Sequence, residues 1–359
     1  SLRTSRFRVN GSAQLQRRSV PNLLELQGQI QPAAALLAPF TNQLVPGATV
    51  TMQGTQGGSL LLSAPLALPL DIRQLTLAAQ IPLTELRLPG LTLHDLTLPL
   101  DLNRGLLRLQ VAGAVGAVDG GRVNVQPQWK WPEGQEVRPV LTLAAESEVL
   151  SRVPLSRALT GGLLAYLPPL GSLVQASGTM DLTLTHFSLP LHGKRQADFA
   201  LRLGLGQAKP QAMPVLRELL DSAGLGEVPL RFKERQLSCE GREGALRCAP
   251  LRLLAGDAEI SLSGHLQRDG SLACRVEVPV SEQLAREAGL VVHGPFVAVA
   301  EMSGSRTAPV FDRQAFLGSL AAQLAAALPP PMVEQGPPSE MAVGNAETPA
   351  PPPAEATPL

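Results

Sequence analysis

Gln236–Val280 reads QLSCEGREGALRCAPLRLLAGDAEISLSGHLQRDGSLACRVEVPV, with apolar residues at every second position between glycine-bearing turns. Period-two alternation is the mark of a half-buried β-strand, because successive side chains point to opposite faces. With Glu243-Gly244 as a two-residue hairpin loop, Leu237, Cys239, Leu246 and Cys248 share one apolar face, while Ser238, Glu240, Arg242 and Arg247 share the polar one. Counted outward from that turn, Cys239 faces Cys248 as a non-hydrogen-bonded pair, the kind with the closest Cα atoms, and so lies within disulfide reach. An oxidising compartment would join the two sulfurs; a reducing one would leave two core thiols. Further along, a three-residue loop Arg268–Gly270 with Gly270 left-handed aligns Leu266 with Leu272, Leu262 with Val276 and Ile260 with Val278. The same register sets Cys274 opposite Gly264, without a cysteine partner.

The alternation extends upstream. Leu91–Leu102 (LTLHDLTLPLDL) is a strand whose apolar phase slips at His94-Asp95, which predicts a bulge or bend there. Leu106–Val111, Arg122–Gln126, Leu141–Ala145, Thr179–His186 and Phe199–Leu205 read as further strands. Helical signals are fewer: Ala33–Leu44, Leu155–Leu167, Met213–Ala223, Ser281–Ala288 and Asp312–Leu328, with Ser281 and Asp312 as N-caps. Three parts follow: 1–145, a β-rich N-terminal part; 146–328, a β-rich C-terminal region with capping helices; and 329–359, a proline-rich tail of disordered composition.

The 359 residues carry thirty basic and thirty acidic side chains, 17% charged and only 3% aromatic residues. Ordinary soluble domains hold about 25% charge, so this chain is poor in charge and in rings, which argues against a nucleic-acid partner. From Leu26 to Leu70 no residue is charged, yet prolines and glutamines interrupt the run too often for a membrane helix.

Motifs for chemistry are lacking in the sequence: there is no G-x-S-x-G, H-E-x-x-H, Walker loop or G-x-G-x-x-G. Cys239, Cys248 and Cys274 lack metal-ligand spacing, and His186 with His192 reads as a pair of turn histidines. Asp257 with Glu259, and Glu146 with Glu148, share strand faces and read as solvated positions; Trp129 and Trp131 read as sheet-edge packing. The expectation is a non-enzymatic protein without metal or cofactor.

The stretch from Gln236, with Pro250-Leu251-Arg252-Leu253, Ala258–Gly264, Asp269-Gly270-Ser271-Leu272 and Val276–Val280, resembles the C-terminal region of the AsmA-like family of bacterial envelope proteins. Val297–Asp312 is similar to that family's closing strand, proline and helix, although Glu301 stands where the family runs apolar; Ser177–Leu182 and Leu91–Val111 share its strand texture. The resemblance implies a mainly β fold: an elongated, twisted antiparallel sheet forming an open groove, with a few short helices and a terminal helix. It also implies a periplasmic protein tethered to the inner membrane by a segment missing from this chain, linked to phospholipid transport and outer-membrane integrity. Acyl chains need a continuous aliphatic surface and no catalyst, and leucines at period two supply one. The groove positions are then Leu93, Leu96, Leu98, Leu182, Leu184, Leu201, Leu203, Ile260, Leu262, Val276 and Val278, with phospholipid or another acyl lipid as partner; the charge-free Leu26–Leu70 belongs to the same face. The alternative is an envelope scaffold in which the leucines meet as a closed sandwich or solenoid core and partner proteins are bound instead.

Overall fold

Among the described residues, alternating apolar and polar side chains organise one antiparallel sheet of 22 strands and a second sheet of 2. The computed structural model describes residues 2–3, 7–17, 22–32, 51–53, 57–66, 71–88, 91–115, 120–131, 139–161, 164–170, 172–190, 197–226, 228–280, 296–305 and 308–318. The first strands are β1 (Leu2–Arg3), β2 (Phe7–Gln16), β3 (Leu23–Pro32), β4 (Thr51–Gln53), β5 (Gly58–Pro65), β6 (Thr76–Leu88) and β7 (Leu91–Asn103). Short strands follow: β8 (Leu106–Leu109), β9 (Val111–Val115), β10 (Arg122–Val125), β11 (Gln128–Lys130), β12 (Val140–Thr142) and β13 (Ser147–Pro154). The remainder are β14 (Val174–Ser177), β15 (Thr179–Pro190), β16 (Asp198–Gly204), β17 (Lys209–Ala212), β18 (Leu230–Phe232), β19 (Gln236–Arg242), β20 (Ala245–Ala255), β21 (Ala258–Leu266), β22 (Ser271–Val280), β23 (Phe296–Ser305) and β24 (Ala308–Phe311).

Pairing follows chain order. β1 to β3 lead through β5 to β6 and β7, and β4 shares the edge of β6 with β5. The sheet then divides into two tracks, β8–β11–β12 and β9–β10–β13, which rejoin on β15. From there it continues through β16, β19, β20, β21, β22 and β23 to β24, with β18 beside β19 on the edge of β20. Both parts on either side of residues 145 and 146 therefore lie in one sheet. The tracks part where Gln110 and Gln126-Pro127 interrupt the strands; Leu109 N still donates to Pro127 O (3.0 Å) and Gln110 N to Pro99 O (3.1 Å), so the breaks cost little hydrogen bonding.

Both hairpins have the expected loops. Glu243 (φ 51°) and Gly244 (φ 81°) form a two-residue turn with positive φ at both positions, and Cys239 faces Cys248, to which it is joined by a disulfide. At the second hairpin Gly270 has φ 84°, Gln267 N donates to Ser271 O (2.8 Å), and Leu266 faces Leu272 and Leu262 faces Val276. At His94-Asp95 the strand bends without a bulge. Asp95 has φ 51°, and the β6–β7 register continues unshifted because both strands take a three-residue step together, Leu83 to Leu86 against Leu93 to Leu96.

The helices are shorter than the patterns suggest. Leu155–Leu167 yields α1 (Arg157–Gly161) and a 3-10 turn at Leu164–Tyr166, and Pro168-Pro169 follows at once, where continuation is barred. α2 (Pro214–Ser222) starts on a proline at its first position and ends before Gly224 (φ 74°). A terminal helix, α3, runs over 313–318, with Asp312 Oδ1 accepting from Ala315 N (2.9 Å) as an N-cap. The expected helices Ala33–Leu44 and Ser281–Ala288 and the tail 329–359 lie outside the described residues.

The segment from α1 to α2, with β14 paired to β17, forms a second layer over the leucine face of the sheet. Leu159, Leu164, Leu170, Leu173, Leu216 and Leu219 are fully buried in the same cluster as Leu93, Leu203, Leu262 and Val276. Gly264 permits this contact: a Cβ there would stand 3.0 Å from Pro168 Cβ and 2.9 Å from Cys274 Sγ. Gly264→Val is expected to destabilise the protein by about 1–3 kcal/mol, measured by urea denaturation, because the turn at Pro168 must lift from β21.

Candidate functional site

Because the register carries the alternation from strand to strand, residues of different strands line up in rows across the sheet. One row runs through Ala13, Leu26, Leu62, Leu77, Leu102, Leu107, Trp129, Leu141 and Leu189, crossing nine strands without a polar side chain. The next row on the same face is Gly11, Gly28, Leu60, Ala79, Leu100 and Leu109. Glu25, Gln27, Gln29, Ser59, Ser63 and Gln80 fall on the opposite face by alternation.

This apolar face changes character along the sheet. The positions expected to line a groove (Leu93, Leu96, Leu98, Leu182, Leu201, Leu203, Ile260, Leu262, Val276 and Val278) are all at most 9% exposed, and Leu184 packs partly buried beside them. They form one cluster with the α1–α2 layer, so in this structure they are core positions, the arrangement weighed as the alternative to a groove. Towards the N-terminal edge the cover thins. Leu60 and Leu102 are buried, but Leu24, Leu26, Leu62, Leu77, Leu100, Leu107 and Leu109 are only half-buried, and Leu15 is 45% exposed. The accessible part of the aliphatic face is therefore carried by β2, β3, β5, β6, β7 and β8, which take in Leu26, Leu60 and Leu62 of the charge-free stretch and lie largely outside the expected groove list. The signal for it was present: LELQGQIQ from Leu24 alternates cleanly, with Leu24, Leu26 and Gly28 on one face and Glu25, Gln27 and Gln29 on the other.

Trp129 does not pack at a sheet edge, since β11 pairs with β8 on one side and β12 on the other. It is buried at the end of the long row, in a second cluster with Leu141, Phe187 and Leu189, and Trp131 packs against that cluster. His186 is exposed, and His192 lies outside the described residues. One carboxylate of each pair sits in a surface ion pair, Glu146 with Arg202, and Glu259 with Lys233 (2.5 Å) and Arg252 (3.6 Å). The Lys233 hydrogen bond, together with Arg252, holds the Glu259 carboxyl below its ordinary range. Among the described residues no group of three or more His, Cys, Asp and Glu side chains is placed to hold a metal, and no helix is long and apolar enough to cross a membrane. No family model, curated protein or solved structure matches the chain.

Cys274 is buried on the core face opposite Gly264, and burial pushes its thiol up from an ordinary 9.0 to about 12. Unfolded, unreduced protein should show one reactive thiol, and reduced protein three; a count of three without reductant would contradict the Cys239–Cys248 link. Since the neutral Cys274 thiol is favoured by the folded state, its contribution to stability is full below pH 9 and declines as pH rises towards 12. Denaturation midpoints across that window should fall less steeply for Cys274→Ala than for the parent protein.

Proposed function

We propose that the protein is a non-catalytic, lipid-binding component of the bacterial envelope that holds acyl chains on the N-terminal part of its apolar sheet face and takes part in phospholipid transport and outer-membrane integrity. The observation that carries this reading is the polar-free row from Ala13 to Leu189, whose members Leu26, Leu62 and Leu77 stay half-buried while the C-terminal continuation of the face is covered by the chain itself. From Ala13 to Leu107 the row is aliphatic, without rings or charges, which suits acyl chains, each buried methylene contributing about 0.8 kcal/mol. The resemblance to AsmA-like proteins supports the same reading and a periplasmic location, and the Cys239–Cys248 disulfide agrees with an oxidising compartment.

The covered core favours one second reading, a scaffold that binds partner proteins, with Asn10–Gln16 on β2 exposed near one edge of the sheet. The two separate in one experiment. Leu62→Asp with Leu77→Asp should abolish binding of a fluorescent fatty acid at a stability cost below about 2 kcal/mol, whereas Leu98→Asp should unfold the protein, costing roughly 4 kcal/mol or more. Protein that carries no phospholipid on solvent extraction and binds no acyl probe leaves the scaffold reading standing.

A further inference from the structure

The polar face of the same sheet carries a cleft of about 530 Å³. Gln27 and Gly28 on β3 line one end, and three consecutive residues from each successive position across the sheet follow, as far as Gln126–Gln128 at the start of β11. The middle row, Gly28–Leu60–Ala79–Leu100–Leu109–Pro127, belongs to the apolar face, so by alternation the two flanking rows direct their side chains into the cleft. With strands about 4.8 Å apart, the five spacings from β3 to β11 make it about 24 Å long. At its β8–β11 end the cleft takes in Gln110 and Gln126-Pro127, where the strands are interrupted.

Its chemistry differs from that of the C-terminal strands. In the C-terminal half the polar face carries ion pairs, Arg275 with Glu277 (3.1 Å), Lys233 with Glu259 (2.5 Å) and Arg252 with Glu234 (3.6 Å). The cleft instead presents five carboxamides, Gln27, Gln80, Gln110, Gln126 and Gln128, and its two charges, Asp101 and Arg108, face each other across β7 and β8 and cancel. Between the amides lie Leu61, which is 51% exposed, Ala78 and Pro99. Each carboxamide both donates and accepts, and it matches hydroxyl and acetamido groups without the cost of desolvating a charge. Apolar patches between them suit the C–H faces of sugar rings. The length and openness of the cleft suit a chain of such units rather than a compact ligand.

We propose that this cleft binds a linear, uncharged saccharide chain bearing hydroxyl and acetamido groups. The site lies on the face opposite the proposed lipid surface and is independent of it. The test is calorimetric titration of the full chain with chitotetraose, with the fluorescent fatty acid as a parallel probe. Saturable binding is expected, weakened about tenfold or more by Gln80→Thr with Gln126→Thr, and abolished by Ala78→Arg, which fills an exposed position of the cleft without removing a contact. Binding of the fatty acid and the denaturation midpoint should stay unchanged in both variants, so that a failure here is separable from a failure of the lipid reading. Absence of chitotetraose binding at millimolar concentration, or binding indifferent to both variants, would overturn the proposal. So would selective binding of a glutamine-rich peptide in its place.

Discussion

Every feature of this protein depends on one constraint: the side-chain alternation of each strand must stay in phase with that of its neighbours. A slip of one residue in any pairing would send its leucines to the wrong face. The long row from Ala13 to Leu189 exists only because the successive pairings are in register. Where phase is lost, it is lost locally and restored. Thr84 and Asp95 bend two strands together, whereas the shift on β20 between Cys248 and Leu251 places exposed Ala249 and Pro250 side by side in a bulge. On β13 the irregularity at Arg152 (φ 51°) is held by its backbone N–H, which donates to Asp181 Oδ1 at 2.7 Å.

The same constraint creates a surplus of apolar surface that the chain must hide. Burial at about 25 cal/mol per Å² rewards any element that can lie on the leucine face. In the C-terminal half the α1–α2 layer does so, and the two sides meet as one cluster with no polar side chain between them beyond Thr160 and Ser172, the described buried polar residues, both of whose hydroxyls donate to backbone carbonyls. In the N-terminal half the face remains partly accessible. One sheet thus combines a dry core, which gives rigidity, with a partly accessible aliphatic surface, and on its polar side ion pairs recur along the C-terminal strands while carboxamides line the N-terminal cleft.

The sequence was most legible where turn chemistry and alternation agree. Glu243-Gly244 and Arg268–Gly270 fixed loop length, hence register, hence the facing of Cys239 with Cys248 and of Gly264 with Cys274. The mainly β class followed from the same alternation. The division of the apolar face was not legible, because period two reports which residues share a face and not what covers it. Leu98 and Leu62 look alike in sequence, yet Leu98 lies in the core and Leu62 beside it, half-buried. The covering depends on Pro168-Pro169 and α2 docking over residues distant in the chain, such as Gly264. The helical pattern of Leu155–Leu167 overstates the helix for a related reason: its leucines are buried from several sides and do not form one helical stripe.

Photolabelling with a phospholipid that carries a diazirine on its acyl chain, followed by peptide mapping, locates the acyl chain on the sheet. Placement of acyl chains on the N-terminal apolar face predicts adducts on β3, β5 and β6, centred on Leu26, Leu62 and Leu77, and none on Leu203, Leu262 or Val276. Adducts spread over the C-terminal core positions, confined to the polar face, or absent altogether would contradict it.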